Sequence, residues 1–202
     1  MVAEPTVAGR RFWWVNQNQT HREEIAGGFM WSPKRNANGA RNQFYDNMRE
    51  VGRGDMVFSF YGTRLQHVGV ATAAAETAPK PDFGASGENW SQEGWLVGVE
   101  FDTLQHPFRP KDRIDLIRPL LPEKYSPLQP SGDGLQSVYL AEISLGLADL
   151  LLDLADALLN FALDLLADIA LDSAGDIVGL AFGLFDFASR YIFHRHTNLH
   201  EK

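Results

Sequence analysis

The chain has 202 residues, a net charge of −8 and no cysteine. This length suffices for one domain of ordinary size with an appendage. The lack of cysteine excludes disulfides and thiolate metal sites, and the acidic balance argues against a generally basic coat for nucleic acid. The first residues, MVAEPTVAGRR, lack the apolar core of a secretory signal, so we expect a cytoplasmic protein.

The charge is distributed unevenly along the chain. Residues 144–202 have a net charge of −6, whereas residues 1–143 have only −2. Cationic residues follow Trp31 closely in sequence: Lys34, Arg35, Arg41, Arg49, Arg53 and Arg64. Phosphate contact needs a local patch rather than a basic average, and ordinary scattered surface charge is the alternative. The sequence leaves both interpretations open.

The first predicted elements are a strand and a short helix. The run RFWWVN at 11–16 is aromatic and β-branched, and its alternation places an aromatic ring on each face. We therefore expect a strand that is covered on both faces. Thr20 and Glu23 have the spacing of a capping box, which predicts a helix that runs through Ile25.

The middle of the chain predicts a series of short elements. Trp31 stands at the edge of a polar loop, and apolar residues at helical spacing predict a helix over 40–51. We expect strands over 56–61, 65–73 and 94–101, a loop over 78–91, mostly irregular chain over 108–125 and a helix over 135–143. Together these predict an α+β fold over residues 10–143, a small mixed β-barrel with peripheral helices.

The composition changes at Leu145. From there to Phe193 the chain is rich in Leu, Ala, Phe and Asp, and the acidic residues recur as a narrow polar stripe at helical spacing. This predicts C-terminal helices over 144–193, with a break near Gly175, and a flexible tail over 194–202. The regular Asp residues argue against a membrane span. The wide apolar surface must then pack on the barrel, on itself or on another copy in a homo-oligomer.

No arrangement of residues predicts catalysis. The chain contains no GxSxG, P-loop or GxGxxG motif, and no spacing places two carboxylates in one pocket. His194, His196 and His200 read HxHxxxH, but in a terminal segment we expect them to be solvated rather than to bind a metal. We therefore expect no catalytic residues, no metal ligands and no cofactor.

Trp31 is the aromatic residue for which a binding role is favoured. Ser32 follows it, and amide and guanidinium side chains flank it. A Trp at a loop edge can stack on a planar base while amides and hydroxyls read the edge of that base. A buried core Trp is the alternative, and it is the favoured interpretation for the tryptophans of the apolar strands, Trp13, Trp14 and Trp95.

The order of these segments resembles a known family. The resemblance is carried by FWWVNQNQT (12–20), WSPKRNANGARNQFYDNMREV (31–51) and GDMVFSFYGT (54–63), and it continues through HVGVA (67–71), GWLVGVEF (94–101) and YSPLQPSGDGLQSVYL (125–140). Residues 10–143 are similar to the EVE branch of the PUA-like superfamily, and most of all to the N-terminal EVE modules of HNH-type modification-dependent restriction endonucleases. More distantly they resemble YTH domains, which read N6-methyladenine in RNA.

This resemblance implies a barrel whose pocket receives one flipped, modified base between aromatic walls. The implied pocket residues are Trp31, Ser32, Trp14, Asn16, Ser59 and Tyr61. The implied contacts to the nucleic-acid backbone are Lys34, Arg35, Arg41, Asn42, Ser126 and Gln129.

The expected function is therefore to read a modified base, 5-methyl- or 5-hydroxymethylcytosine in DNA, with RNA as the alternative partner. The restriction enzymes continue into a nuclease domain, whereas this chain continues into Leu/Ala/Asp helices, so nuclease activity is not expected. Two other interpretations stay open. One is a scaffold or oligomerisation protein driven by the helical tail, and the other is an enzyme that binds a nucleotide-like small molecule.

Overall fold

A computed structural model describes residues 9–135 and 137–156. The chain divides into two compact units, and the first extends to Ala155. Within the described ranges, no helix has the length and apolar character that crossing a membrane requires. The remainder of the predicted Asp stripe, the predicted break near Gly175 and the HxHxxxH segment lie outside the described residues.

The first unit is built around one mixed sheet. Its strands are β1 (Phe12–Asn16), β2 (Phe29–Pro33), β3 (Met56–Tyr61), β4 (Arg64–Ala71), β5 (Glu76–Pro79), β6 (Glu93–Phe108) and β7 (Leu140–Ile143). The order across the sheet is β2-β6-β4-β3-β1-β7, and β5 also pairs with β6. Strands β1 and β3 run parallel, and the other pairs of these strands are antiparallel.

Short helices connect and cover the strands. They are α1 (His21–Gly27), α2 (Gln43–Asp46) and α3 (Ile114–Ile117), with 3₁₀ turns at Asn47–Glu50, Pro110–Arg113 and Arg118–Leu120. A further helix, α4, begins at residue 145 and is described to residue 156. Its apolar residues Leu147, Ala148 and Leu151 are buried. A curled mixed sheet with few helices agrees with the predicted α+β class.

The core is formed by side chains from several strands, among them Trp13 and Val15 of β1, which lies between β3 and β7. Trp13 and Trp14 point to opposite faces of β1, and both are buried, which confirms that this strand is covered on both sides. The indole Nε1 of Trp13 donates to the carboxylate of Asp55 at 2.9 Å. The same carboxylate accepts from the amides of Arg11 and Gly52, so it fixes the start of β1 against the turn before β3.

The predicted helix over 135–143 is wrong, because β7 occupies 140–143 and pairs antiparallel with β1. Pairing with β1 explains the difference, because residues 140–143 give their backbone groups to that strand and the amide of Asn16 donates to the carbonyl of Tyr139 at 2.8 Å. The Nδ2 of Asn16 also donates to the backbone carbonyls of Leu135 and Val138, and to that of Pro127, and so holds the chain before β7 against β1.

Three further predictions differ from the structure. The predicted helix over 40–51 is a single turn of α2 followed by a 3₁₀ turn, and it begins where the side chain of Asn42 accepts from the amide of Phe44 at 3.0 Å. Trp31 lies within β2 rather than at a loop edge, because Phe29–Pro33 pairs with β6. The predicted loop over 78–91 begins inside a strand, β5.

The predicted capping box at Thr20 is also absent. Thr20 precedes α1, but its side chain makes no capping hydrogen bond to the helix. It instead hydrogen-bonds to Glu24, which is fully buried on the inner side of α1.

Glu24 bridges the two edge strands of the sheet. Its Oε1 accepts from the amide of Trp31 in β2 at 3.1 Å and from the hydroxyl of Tyr139, just before β7, at 2.8 Å. Its Oε2 accepts from the Nε2 of Gln17 at 2.5 Å, and Ser59 donates in turn to Gln17 at 2.6 Å. A buried carboxylate with this many donors is satisfied, and it joins strands that share no backbone pairing.

Burial raises the pKa of Glu24 to about 7, although the hydrogen bonds from Tyr139, Trp31 and Gln17 act in the opposite direction. The hydroxyl of Tyr139 is buried as well, and its pKa lies well above the usual range because of this burial and the adjacent Glu24. The Glu24 carboxyl therefore holds its proton at pH values where an exposed glutamate has lost it.

This linkage makes the stability of the fold depend on pH. Between pH 4.5, the ordinary pKa, and about pH 7, the folded chain retains a proton that the unfolded chain has released. The free energy of unfolding should therefore fall as the pH rises through this window, by about 3 kcal/mol from this group. Glu24→Gln, which keeps the shape without the titration, should remove that part of the slope.

Urea unfolding of both proteins at several pH values measures the effect. Since the other titrating groups are common to the two proteins, the difference between their free energies of unfolding isolates Glu24. Curves that stay parallel from pH 4.5 to pH 8 would show that Glu24 does not hold its proton in the fold.

Candidate nucleic-acid interface

Trp31 is packed in an aromatic cluster with Phe83 and Trp90. Its ring centroid lies 5.8 Å from that of Phe83 and 6.2 Å from that of Trp90, and the two indole planes are inclined by only 23°. Trp31 is 1% exposed. On the neighbouring strand Gly94 has no side chain, and a Cβ there would collide with the Trp31 ring. The lack of a side chain at Gly94 thus leaves room for the Trp31 ring, which lies nearly parallel to that of Trp90.

Three buried polar atoms near this strand pair lack a hydrogen-bond partner. They are the Nε1 atoms of Trp31 and Trp95 and the Oγ of Ser32. A buried donor without a partner costs about 1–3 kcal/mol. Such unpaired groups are unusual in a folded protein, and they are the groups that a ligand can satisfy.

A basic depression of about 360 Å³ opens beside the same strands. Its lining residues are Lys34, Arg35, Arg41, Asp46, Arg49 and Trp95. The Nζ of Lys34 lies 4.5 Å from the ring centroid of Trp95, and the Cζ of Arg49 lies 5.4 Å from it. The volume is at the low end of the range for small-molecule sites.

The local sequence explains how these cations converge. Lys34 follows directly on β2 and forms an ion pair of 2.6 Å with Glu93 at the start of β6. A tight turn with Gly39 at a φ of 80° then returns the chain, and Arg41 pairs with Asp46 across the start of α2 at 2.9 Å. The 3₁₀ turn that follows α2 supplies Arg49.

The aromatic cluster and the basic depression lie on opposite faces of one strand pair. Ser32 is the register partner of Trp95, and Trp31 is that of Leu96. Because side chains alternate along a strand, Ser32 and Trp95 share the face opposite to that of Trp31. The strand pair β2–β6 therefore carries stacked rings on one side and positive charge on the other.

The six predicted pocket residues are not gathered in one place. Trp31 and Ser32 are adjacent on β2 but face opposite sides. The Nε1 of Trp14 donates to Asn16 at 2.8 Å, and Asn16 is otherwise engaged with three backbone carbonyls.

The other two predicted pocket residues have partners elsewhere in the fold. Ser59 donates to Gln17 in the Glu24 network. Tyr61 is half-exposed and stacks on His21, with ring centroids 4.2 Å apart.

The predicted backbone contacts divide into two groups. Lys34, Arg35 and Arg41 line the basic depression, and Asn42 adjoins it as the N-terminal cap of α2. Ser126 and Gln129 lie in a separate turn, in which they hydrogen-bond to the carbonyls of Leu128 and Gly134, respectively.

Sequence reasoning missed part of the site. Phe83 and Trp90 belong to the stretch between β5 and β6, which carries no periodic pattern. Trp95 looks like an ordinary strand tryptophan, and nothing in its alternation signals that cations approach its ring. The one available signal was the position of Trp90 beside a Pro- and Gly-rich loop.

No protein-family model matches the chain, and no curated protein matches it. Several solved structures are similar at low identity. A hypothetical protein from Leishmania major is 10% identical, with a TM-score of 0.49 over 75% of this chain and 98% of that one. The YTH domain of the Zygosaccharomyces rouxii MRB1 protein, solved in complex with N6-methyladenosine RNA, is 12% identical, with a TM-score of 0.47 over 77% of this chain and 91% of that one.

The N-terminal domain of Staphylothermus marinus McrB is also 12% identical, with a TM-score of 0.41 over 72% of this chain and 95% of that one. All three are distant similarities. The chemistry of the interface therefore rests on its own residues.

Proposed function

We propose that the first unit is a reader domain that binds nucleic acid at the basic depression and accepts one modified base at the aromatic cluster, without cleaving the strand. One observation carries the proposal. The strand pair β2–β6 presents two near-parallel indoles on one face and four cationic side chains around a depression on the other.

The cations suit a phosphate backbone in spite of the acidic whole chain. Binding of nucleic acid requires a local concentration of positive charge, and Lys34, Arg35, Arg41 and Arg49 supply it around one opening. The ion pairs that Lys34 and Arg41 form with Glu93 and Asp46 hold these side chains in place. Phosphate contacts position the strand and carry no information about the base.

The indoles suit a base. Stacking on an aromatic side chain contributes about 1–3 kcal/mol per base. A ring needs roughly 3.5 Å of separation from each wall, so two walls must stand about 7 Å apart, whereas the centroids of Trp31 and Trp90 are 6.2 Å apart. Entry of a base therefore requires the indoles to separate. Trp90 is the one expected to move, because it is half-buried on a loop whereas Trp31 is fixed in β2.

The proposed ligand is 5-methyl- or 5-hydroxymethylcytosine in DNA. Flipping a base out of a duplex costs a few kcal/mol. Burial of one added methyl group returns only about 0.8 kcal/mol. Strong selectivity therefore needs an unpaired donor as well, and Trp31 Nε1 belongs to the ring that forms one wall of the proposed base position.

One prediction of this proposed function concerns Trp90. Matched duplexes with cytosine, 5-methylcytosine, 5-hydroxymethylcytosine or N6-methyladenine, and a methylated single-stranded RNA, are titrated at one low salt concentration. We expect one modified oligonucleotide to bind preferentially, and Trp90→Ala to weaken that complex by about 5- to 150-fold, the equivalent of one lost stack.

Trp90 is preferred over Trp31 for this test because truncating the fully buried Trp31 would cost about 3–5 kcal/mol of stability. Tyr125→Ala is the matched control, since that exposed ring packs against Phe44 and not against either indole. Equal affinity across the whole panel would refute the reader function. Selective binding that Trp90→Ala leaves intact would place the base elsewhere.

The second prediction concerns charge. Arg41→Ala and Arg49→Ala should each weaken binding to modified and unmodified strands by the same factor, because phosphate contacts do not read the base. Each should also reduce the slope of log K against log salt by about 1. Arg113→Ala, at an exposed position that does not line the depression, is the control. An unchanged slope in both arginine variants would remove the depression from the interface.

A further inference from the structure

Two histidines meet outside the proposed interface. His21 is the first residue of α1 and His67 lies within β4. The Nε2 of His21 and the Nδ1 of His67 are joined by a hydrogen bond of 3.2 Å, in which one ring donates to the other, and the ring centroids lie 5.0 Å apart with planes inclined by 47°. We call these two residues the histidine pair.

The fold holds both rings in place. Tyr61 stacks on His21 with ring centroids 4.2 Å apart and planes within 10°. His67 is 8% exposed and is held in the sheet between Ser59 of β3 and Thr103 of β6. The separation of the two nitrogen atoms is therefore set by the packing of α1 on the sheet and not by two free surface side chains.

One proton lies between the two facing nitrogens. A neutral imidazole can carry its proton on either ring nitrogen, so the donor ring can move that proton to its other nitrogen and present a lone pair instead. Metal binding here exchanges one hydrogen bond for two metal–nitrogen bonds.

The distance between the nitrogens fits one shared metal ion. Zinc–imidazole bonds are about 2.0–2.1 Å long, so two such ligands at a tetrahedral angle have their nitrogens about 3.3 Å apart. Imidazole suits zinc, copper and nickel. We propose that the histidine pair is a binding site for a divalent transition-metal ion, in which His21 Nε2 and His67 Nδ1 are the two protein ligands.

Water would have to fill the remaining coordination positions of this ion. Within residues 9–135 and 137–156, no group of three or more His, Asp or Glu side chains could hold a metal. The site would therefore bind its ion less tightly than a four-ligand structural site. An ion there would tie α1 to β4, and binding that favours the folded state must raise the melting temperature.

The test separates this pair from the other histidines. The full chain with His194→Gln, His196→Gln and His200→Gln is the parent protein, because those residues could bind metal themselves. Zinc and nickel are titrated into it by calorimetry, and the melting temperature is followed in parallel. We expect one ion per chain, together with a rise in the melting temperature.

Two variants of the parent locate the site. His67→Gln and, separately, His21→Phe, which keeps a ring against Tyr61, should each abolish both the binding and the rise in melting temperature. His106→Gln should change neither. Absence of binding in the parent, or binding that survives both variants, would overturn the proposal. Unfolding curves of the metal-free proteins show whether each variant is folded.

Discussion

The buried carboxylate of Glu24 is the contact on which the architecture depends. The sheet is a curled path whose ends, β2 and β7, share no backbone hydrogen bonds, and Glu24 reaches both through Trp31 and Tyr139. Taking a carboxyl group out of water is costly unless its oxygens are hydrogen-bonded. Amide and hydroxyl donors from three parts of the chain offset that cost. The two ends of the sheet are thus joined by polar contacts, whereas most of the core of the first unit is apolar.

The hydrogen bonds of Glu24 help to position β2, and β2 carries Trp31 of the aromatic cluster and leads into Lys34 of the basic depression. The amide of Trp31 itself donates to Glu24, so the strand is held at the residue whose ring belongs to the cluster. Its neighbour β6 supplies Gly94, which leaves room for the Trp31 ring, and then Trp95, which faces the cations. Stacking and charge are thereby separated by the thickness of a single sheet.

Patterns in the sequence predicted the general fold and some of the residues that line the basic depression. Alternation in β1, β3 and β6 and the turn at Gly62 were sufficient for most strands, because these signals are local. The helix predicted over 135–143 failed because residues 140–143 pair with β1, which lies more than a hundred residues earlier in the chain. Lys34, Arg35 and Arg41 were found because they are close in sequence to Trp31. Trp90 was not singled out, and neither was the contact of His21 with His67, since both depend on contacts between distant elements.

Small polar residues such as Asn16 and Ser59 resemble ligand-binding groups in sequence. Only the fold shows that their side chains already hydrogen-bond to other side chains and to backbone carbonyls.

The pairing of Ser32 with Trp95 has a consequence for how such an interface can change over evolution. A shift of β2 by one position against β6 would turn every side chain of β2 to the opposite face, placing Trp31 among the arginines and Lys34 on the aromatic side. Which face carries the aromatic rings and which carries the positive charge therefore depends on whether a residue has an odd or an even position along β2, as well as on its type. Insertion or deletion of a single residue within β2 would exchange them, whereas length changes in the loop between β5 and β6 leave that parity untouched. Changes in the loop that carries Trp90 can therefore alter the aromatic cluster while Trp31 keeps its face of the sheet.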